Sequence, residues 1–345
     1  MITRLSLGIA RSSTSGDDTR VRPSARASAL TASAAVATAA IASAAYQLAA
    51  DAADRRRFPP PGQLVDIGGR RMHLLAVGEG APAVVIIPAL GANVLEWVRV
   101  LRGAVCETTV CAYDRAGLGW SDPSHGPVTI DAMADDLRVL LKAAGIAPPY
   151  VIAGHSMGGV VARRFQSRYP EDVAGMLLID SSHEDQARRL DGHDRWYDIS
   201  RAAKRRLRVL GVRRAAARFG LVRSLNAESL AWETIPEYAG AAKASSLSTK
   251  QRRTVVGEML LLDRPQGQPQ GLGALPLAVL SAGNAKRRKW PDWAAWCQLQ
   301  DELAALSSGS VYMYAVNADH NVHLDDPGLV VETIRDLVGR CRQGA

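Results

Sequence analysis

The residues best suited to chemistry lie in the stretch 150–164, YVIAGHSMGGVVARR. Ser156 stands between Gly154 and Gly158, with a run of β-formers (Tyr150, Val151, Ile152) before it and a helical pattern immediately after. Strand, sharp turn and helix leave such a serine at the tip of the turn, with a helix N-terminus behind it. Glycine suits the flanking positions because a side chain at either would collide where strand and helix pass close. A serine hydroxyl is a poor nucleophile at neutral pH, so this chemistry calls for a positioned base and an acid that fixes the base's tautomer. Of the seven histidines, His320 is the best placed, in a short loop between the last expected strand and the C-terminal helix. His323 is its competitor. His155 sits inside the serine turn, and His73, His125, His183 and His193 read as surface or structural.

The elements that must hold these groups can be read from patterning. Residues 63–67 and 70–77 alternate about Gly68-Gly69, a hairpin signal. Short apolar runs at 83–87 and 107–113 read as buried strands, with further strands expected at 174–179, 276–280 and 311–316. Helical patterns occupy 93–101, 130–144, 291–306 and 327–340. Helices alternating with buried strands predict an α/β fold, a mostly parallel central sheet flanked by helices. Between 184 and 270 the strand-like runs give way to arginine-rich amphipathic stretches at 196–210, 212–225 and 249–262. An insertion at the C-terminal edge of such a sheet lies over the site. Residues 184–270 are therefore expected to form a helical cap on a core built from 63–183 and 271–345. Its aromatics Trp196, Tyr197, Phe219, Trp232 and Tyr238 would either wall a pocket or pack the cap onto the core.

At 345 residues and 47% hydrophobic, the chain suits one α/β domain with an insertion better than two equal domains. Residues 1–26, rich in Ser, Thr, Arg and Asp, are expected to be disordered. Residues 27–50, ASALTASAAVATAAIASAAYQLAA, carry no charge and have the length of one membrane-spanning helix, although Leu30, Val36, Ile41 and Leu48 are the only large aliphatics. A single-pass N-terminal membrane anchor is expected, with an export signal or a soluble alanine-rich helix as alternatives. Arg20, Arg22 and Arg26 on one side and Arg55, Arg56 and Arg57 on the other leave its orientation open. Residues 51–62 read as an Arg/Pro linker into the folded domain. The formal charge of +8 is mostly arginine, but no aromatics interleave with it as in a nucleic-acid-binding module, so nucleic acid is not an expected partner. Cys106, Cys111, Cys297 and Cys341 show no CxxC or Cys/His ligand spacing, which argues against a structural zinc site. Cys106 and Cys111 would pair only if the local geometry allowed it.

With strand, elbow and cap in place, the chain resembles the α/β-hydrolase superfamily from about Leu64 to the C-terminus. The motifs that carry the likeness are Pro88-Ala89-Leu90-Gly91, Tyr113-Asp114-Arg115-Ala116-Gly117-Leu118-Gly119-Trp120-Ser121-Asp122, the Ser156 turn, and Asp319-His320-Asn321-Val322-His323-Leu324-Asp325-Asp326-Pro327. The chain looks like the capped serine esterase and lipase branch. The stretch Ile179-Asp180-Ser181-Ser182-His183-Glu184-Asp185-Gln186 is similar to that of bacterial members with an N-terminal hydrophobic segment. The resemblance implies Ser156 as nucleophile, His320 at the family's histidine position, and an oxyanion hole from the Leu90 and Met157 amides. Pro88-Ala89 replaces the family's usual His-Gly pair, a change the main-chain contact of Leu90 survives. The acid stays open. The family's usual place for it, Ser281-Ala282-Gly283-Asn284-Ala285-Lys286, holds no carboxylate, and the first one after it is Asp292. Some members place the acid after the strand that follows the nucleophile helix, where this chain has Asp180. Asp180 is the preferred reading, Asp292 the alternative and Asp301 a further one, while Asp114 and Asp122 read as structural.

The expected function is a serine hydrolase acting on an ester-type carbonyl through a Ser-His-Asp triad and an acyl-enzyme intermediate, with a small-molecule or lipid-like acyl substrate. No metal or cofactor is implied. A carbon-carbon bond hydrolase, a lyase or a cofactor-free haloperoxidase can keep the same three residues on this fold, so these stand as alternatives. Haloalkane dehalogenation is disfavoured because it wants a carboxylate in place of Ser156. A membrane-tethered binding module without catalysis would be supported by loss of the nucleophile or base, and both are present.

Overall fold

The computed structural model describes residues 25–105, 108–190, 235–262, 264, 266, 267 and 269–344. Eight strands form one sheet: β1 (Gln63–Asp66), β2 (Arg71–Val77), β3 (Ala83–Ile87), β4 (Val110–Tyr113), β5 (Tyr150–His155), β6 (Val173–Ile179), β7 (Leu277–Ala282) and β8 (Ser310–Ala315). Their order is β1-β2-β4-β3-β5-β6-β7-β8. The first two strands pair antiparallel at one edge, and from β4 to β8 every neighbour is parallel. The expected α/β fold with a mostly parallel sheet is therefore the one present.

The β3 run AVVII shows why so apolar a segment becomes a strand. Val84 and Ile86 enter the core on one side of the sheet, Val85 and Ile87 the core on the other, and all four are fully buried. Helices α2 (Val98–Ala104) and α8 (Pro327–Gln343) cover the first side; α3 (Ile130–Ala143) and α4 (Met157–Arg168) cover the second. Thr129 begins α3 by accepting the Ala132 amide, and Asp326 does the same for the Leu329 amide ahead of Pro327. The helix expected at 93–101 is split into a 3₁₀ turn, Val94–Trp97, followed by α2, because the Asn93 side chain caps the Leu95 amide and starts the tighter turn.

The inserted stretch between β6 and β7 contains α5 (Ala239–Leu247) and α6 (Thr249–Leu262). The latter matches the expected helix at 249–262, whereas α5 had no counterpart in the patterning. The helices expected at 196–210 and 212–225, and with them Trp196, Tyr197, Phe219 and Trp232, lie outside the described residues, as do His193 and Cys106. Tyr238 packs against the core at the start of α5. Cys111 is a buried free thiol. The C-terminal helical patterns are realised as α7 (Trp293–Ala304) and α8.

At the N-terminus, α1 runs Ala25–Arg57, seven residues past the end of the uncharged stretch. Of the described residues, 25–43 and those from Ala44 onward belong to separate units. Within the second unit, Gln47 donates to the Leu247 carbonyl at 2.9 Å and Asp51 accepts the Thr249 amide at 3.1 Å. Asp51 thus binds the α5–α6 junction, which keeps the chain helical where a linker was expected. The spacer begins only at Phe58, where Pro59 stops the helix. The transmembrane expectation requires correction. Among the described residues no helix is long and apolar enough to cross a membrane, because alanine and serine supply most of the length of α1.

Candidate active site

Strand β5 leads straight into α4 through Ser156, which has φ 51° and ψ −122°. A non-glycine residue adopts this region only when its surroundings impose it. Here the Ser156 amide donates to Ile179 O at 3.1 Å and its carbonyl accepts from Ser182 N at 3.0 Å, so the turn is gripped from both sides by the end of β6. A Cβ on Gly154 would lie 2.6 Å from Gly158 O, and one on Gly158 would run into the carbonyl of Ile87 at the end of β3. The two glycines thus let α4 fold back across its own strand and come onto the loop after β3. The Met157 amide, in the first turn of α4, is among the N–H groups a helix leaves without an internal partner.

Since β5, β6, β7 and β8 are consecutive parallel neighbours, the loops that follow them meet at one sheet edge. This brings together residues far apart in the chain. His320, in the loop after β8, places Nδ1 2.6 Å from Oδ2 of Asp180, which directly follows β6. A carboxylate only accepts, so Nδ1 carries the hydrogen and Nε2 is left with its lone pair. Asp180 is fully buried and also has positive φ, 37°. Its Oδ1 accepts from Trp296 Nε1 at 2.9 Å and from the Ala282 amide at 3.2 Å, and Arg287 Nη2 is 3.3 Å from Oδ2. Burial acts to raise the carboxyl pKa, but the His320 bond and charge, then the Arg287 guanidinium and the Trp296 indole, outweigh it and hold Asp180 below the ordinary carboxylate value.

The loop that carries Asp180 is fastened to α4. From α4, Arg163 makes a bidentate pair with Glu184 at 2.8 and 3.0 Å, donates to Ser182 O at 2.7 Å, and reaches Ser181 Oγ at 3.0 Å. The motif singled out at residues 179–186 thus consists of the Asp180 carboxylate and the groups that lock its loop.

Behind His320 lies a buried imidazole cluster. His155 Nε2 donates to the His320 carbonyl at 2.8 Å, and the two rings are 4.9 Å apart. Burial, then the neighbouring His323 and His320, push the pKa of His155 well below the ordinary imidazole value. His323 is fully buried and stacks on Trp97 at 4.1 Å with the planes 9° apart. Burial, followed by His320, lowers its pKa to about 3, so it stays neutral in the folded protein. Across from it, 3.5 Å away, Glu96 is raised to about 7 by burial, against the pull of Arg115. His323 is enclosed, whereas the His320 side chain is about one-third exposed.

Leu90 follows β3 in the loop that the first turn of α4 approaches. Asp292 sits at the N-cap of α7, and Asp301 is exposed on the same helix; His320 Nδ1 is engaged by Asp180 and by neither of them. Asp114 is buried and accepts from His73 Nδ1 at 2.8 Å, Val94 N at 2.9 Å and Trp120 N at 3.0 Å, which makes it a turn organiser. Sequence reasoning missed Arg287, Trp296 and the contact of His155 with the base loop. Arg287 falls just before the helical pattern at 291–306 and Trp296 within it, and only their 107- and 116-residue contacts with Asp180 distinguish them.

The model of the alpha/beta hydrolase fold family matches residues 82–268. The chain belongs to this hydrolase family. Uncharacterized protein YqjL of Bacillus subtilis is 26% identical over 269 residues, 78% of this chain and 88% of its own length. Two other relatives are longer proteins of which this chain spans less than half, and the match to a third covers 37% of that protein. Among solved structures, a thermophilic esterase from Thermogutta terrifontis superposes with a TM-score of 0.58 at 21% identity, covering 81% of this chain and 97% of that one. The enol-lactonase of Burkholderia xenovorans LB400 gives 0.59 at 22% identity over 80% of this chain and 100% of its own. At such identities these two structures show a shared fold.

Proposed function

We propose that the chain is a serine hydrolase that cleaves an ester-type carbonyl through an acyl-enzyme, with Ser156 as nucleophile, His320 as base and Asp180 as the acid that orients it. The carrying observation is the 2.6 Å bond from His320 Nδ1 to a fully buried carboxylate that a cation and an indole keep ionised. That bond leaves His320 Nε2 to take the Ser156 proton during attack and to return it to the departing alkoxide. The same base then activates water against the acyl-enzyme. Charge on the tetrahedral oxygen would fall to the Leu90 and Met157 amides. The esterase and enol-lactonase that share the fold act on ester linkages by their names, in keeping with a small-molecule or lipid-like acyl substrate here. Membrane association enters this proposal in peripheral form, through the exposed Arg55, Arg56 and Arg57 at the end of α1, and flotation with anionic vesicles tests it.

The deciding experiment for the nucleophile is labelling with a fluorophosphonate probe. Wild-type protein should be labelled and Ser156→Ala should not. Labelling that survives the substitution overturns the assignment.

A further inference from the structure

The loop at residues 88–91 lacks the family's usual residues, and the structure shows what holds it instead. Arg115, from the turn after β4, donates through Nη2 to Ala89 O at 2.6 Å and through Nη1 to Pro88 O. Glu258, from α6 in the inserted segment, pairs with that guanidinium at 2.7 and 3.0 Å. The same carboxylate accepts the Gly91 amide at 2.7 Å. Two turns earlier in α6, Gln251 donates to Gly91 O at 3.2 Å and accepts from Gly119 N at 3.1 Å. Both members of the ion pair are inaccessible to solvent, Arg115 at 2% and Glu258 at 0% exposure. Helix α6 also lies directly on the loop, since a Cβ on Gly91, which has φ +69°, would meet Val255 at 2.7 Å.

The carbonyls of residues 88 and 89 and both polar groups of residue 91 are therefore fixed from outside, and the peptide between them carries the Leu90 amide. On its other side the loop meets the first turn of α4, where a Cβ on Gly158 would lie 2.8 Å from Pro88 O. We propose that Glu258, with Arg115 and Gln251, is a positioning residue that aims the Leu90 amide at the tetrahedral oxygen, so that helix α6 of the insertion completes the reaction machinery. This rests on the reading of Ser156 as nucleophile. A buried charge pair is a costly way to stabilise a fold, because well-packed apolar residues of similar volume often serve as well or better. Aiming a peptide dipole is a task for which apolar residues cannot substitute.

The test removes both charges together in Arg115→Met/Glu258→Met, so that neither is left buried and alone, with Gln251→Leu as a second, milder variant in case the first does not fold. Full-length proteins would be compared in kcat and KM for p-nitrophenyl acetate and in Ki for phenylboronic acid, whose serine adduct mimics the tetrahedral oxygen. Loss of one well-aimed oxyanion donor costs on the order of 10²–10³ in turnover, so a displaced donor should lower kcat by roughly 10- to 100-fold in the double variant and by about 3- to 10-fold in Gln251→Leu. KM should stay within about threefold while Ki for the boronate rises in step with the fall in kcat, because only the transition state uses the hole. A folded variant with unchanged kcat, or one in which KM alone rises, overturns the proposal. Fluorophosphonate labelling separates the two levels: wild-type labelling at Ser156 with unaffected variants removes the positioning role alone, and absent labelling removes both.

Discussion

Nε2 of His155 donates to the carbonyl oxygen of His320 across 2.8 Å, so the residue preceding the candidate nucleophile holds the backbone of the candidate base. The two residues are 165 positions apart, and the bond ties the elbow after β5 to the loop after β8. Because burial and its imidazole neighbours keep His155 neutral, it adds no positive charge beside a base that must become cationic.

His155→Phe keeps a ring of similar size and removes the donor. Kinetics of a short p-nitrophenyl ester should show kcat reduced by roughly tenfold with KM little changed. The melting temperature should fall by a few degrees, as expected for a lost hydrogen bond worth about 1 kcal/mol. Unchanged kcat would show that the base loop needs no support from the elbow.

The acid assignment separates two carboxylates. Asp180→Asn should lower turnover on the order of 10⁴-fold, because the new amide can donate to Nδ1 and so favour the wrong tautomer of His320. Asp292→Asn, at the start of α7, should stay within about threefold of wild type. The same ester assay reads both, and a larger loss in Asp292→Asn would transfer the role to that residue.

Arg287 places a cation 3.3 Å from the carboxylate that orients His320, and its guanidinium lies over the rings of Trp290 and Trp296 at 4.4 and 5.1 Å. Removing that positive charge favours the protonated, inactive form of the dyad. Arg287→Gln should therefore move the acid limb of the kcat/KM profile to higher pH, by less than about one unit given the partial exposure of the pair. A shift to lower pH would contradict the sign of the interaction.

Acid stability should follow the buried imidazoles. His323 has a folded pKa of about 3 against an ordinary value of 6.5, so between these values the unfolded chain binds more protons and stability falls as pH drops. The full effect is on the order of 4–5 kcal/mol, complete near pH 3. Glu96 acts in the opposite sense. Raised from 4.5 to about 7, it stabilises fully below pH 4.5 and loses that contribution as pH rises toward 7. The two trends partly cancel between pH 4.5 and 6.5 and leave a steep loss below that range. Thermal melts of His323→Phe, which keeps the stack on Trp97, should therefore show a smaller drop between pH 5 and pH 3.5 than wild type. Parallel curves for the two proteins would remove His323 as the origin.

Local pattern was enough to locate the elbow, because a β-forming run, the closely spaced Gly154, Ser156 and Gly158, and a helical pattern all lie within 150–164, although the groups that hold the turn, Ile87, Ile179 and Ser182, lie outside that stretch. It located most elements for the same reason, since the AVVII run of β3 and the spacing of α3 and α8 report burial directly. It overran at 51–62, where Asp51 keeps the helix going through a bond to Thr249 that no local rule contains. It also read an uncharged alanine-rich stretch as long and apolar enough to span a bilayer, which the described helix is not.

The sequence by itself determined a strand–turn–helix carrying Ser156, a histidine in the loop after the last strand, and an insertion between two core strands. The partner of that histidine was decided only by the tertiary structure. Asp180 and Asp292 are equivalent as residue types, and a carboxylate becomes an orienting acid only where the sheet delivers it. The order β5-β6-β7-β8 places the end of β6 within reach of His320 across 140 residues, while Asp292 stands at the start of α7 and His320 Nδ1 is engaged by Asp180. The contacts of Arg287 and Trp296 with Asp180, of His155 with the His320 loop, and of Arg115 and Glu258 around Leu90 have the same origin. Each is set by burial and by a long-range approach of side chains, and neither leaves a periodic trace in the chain.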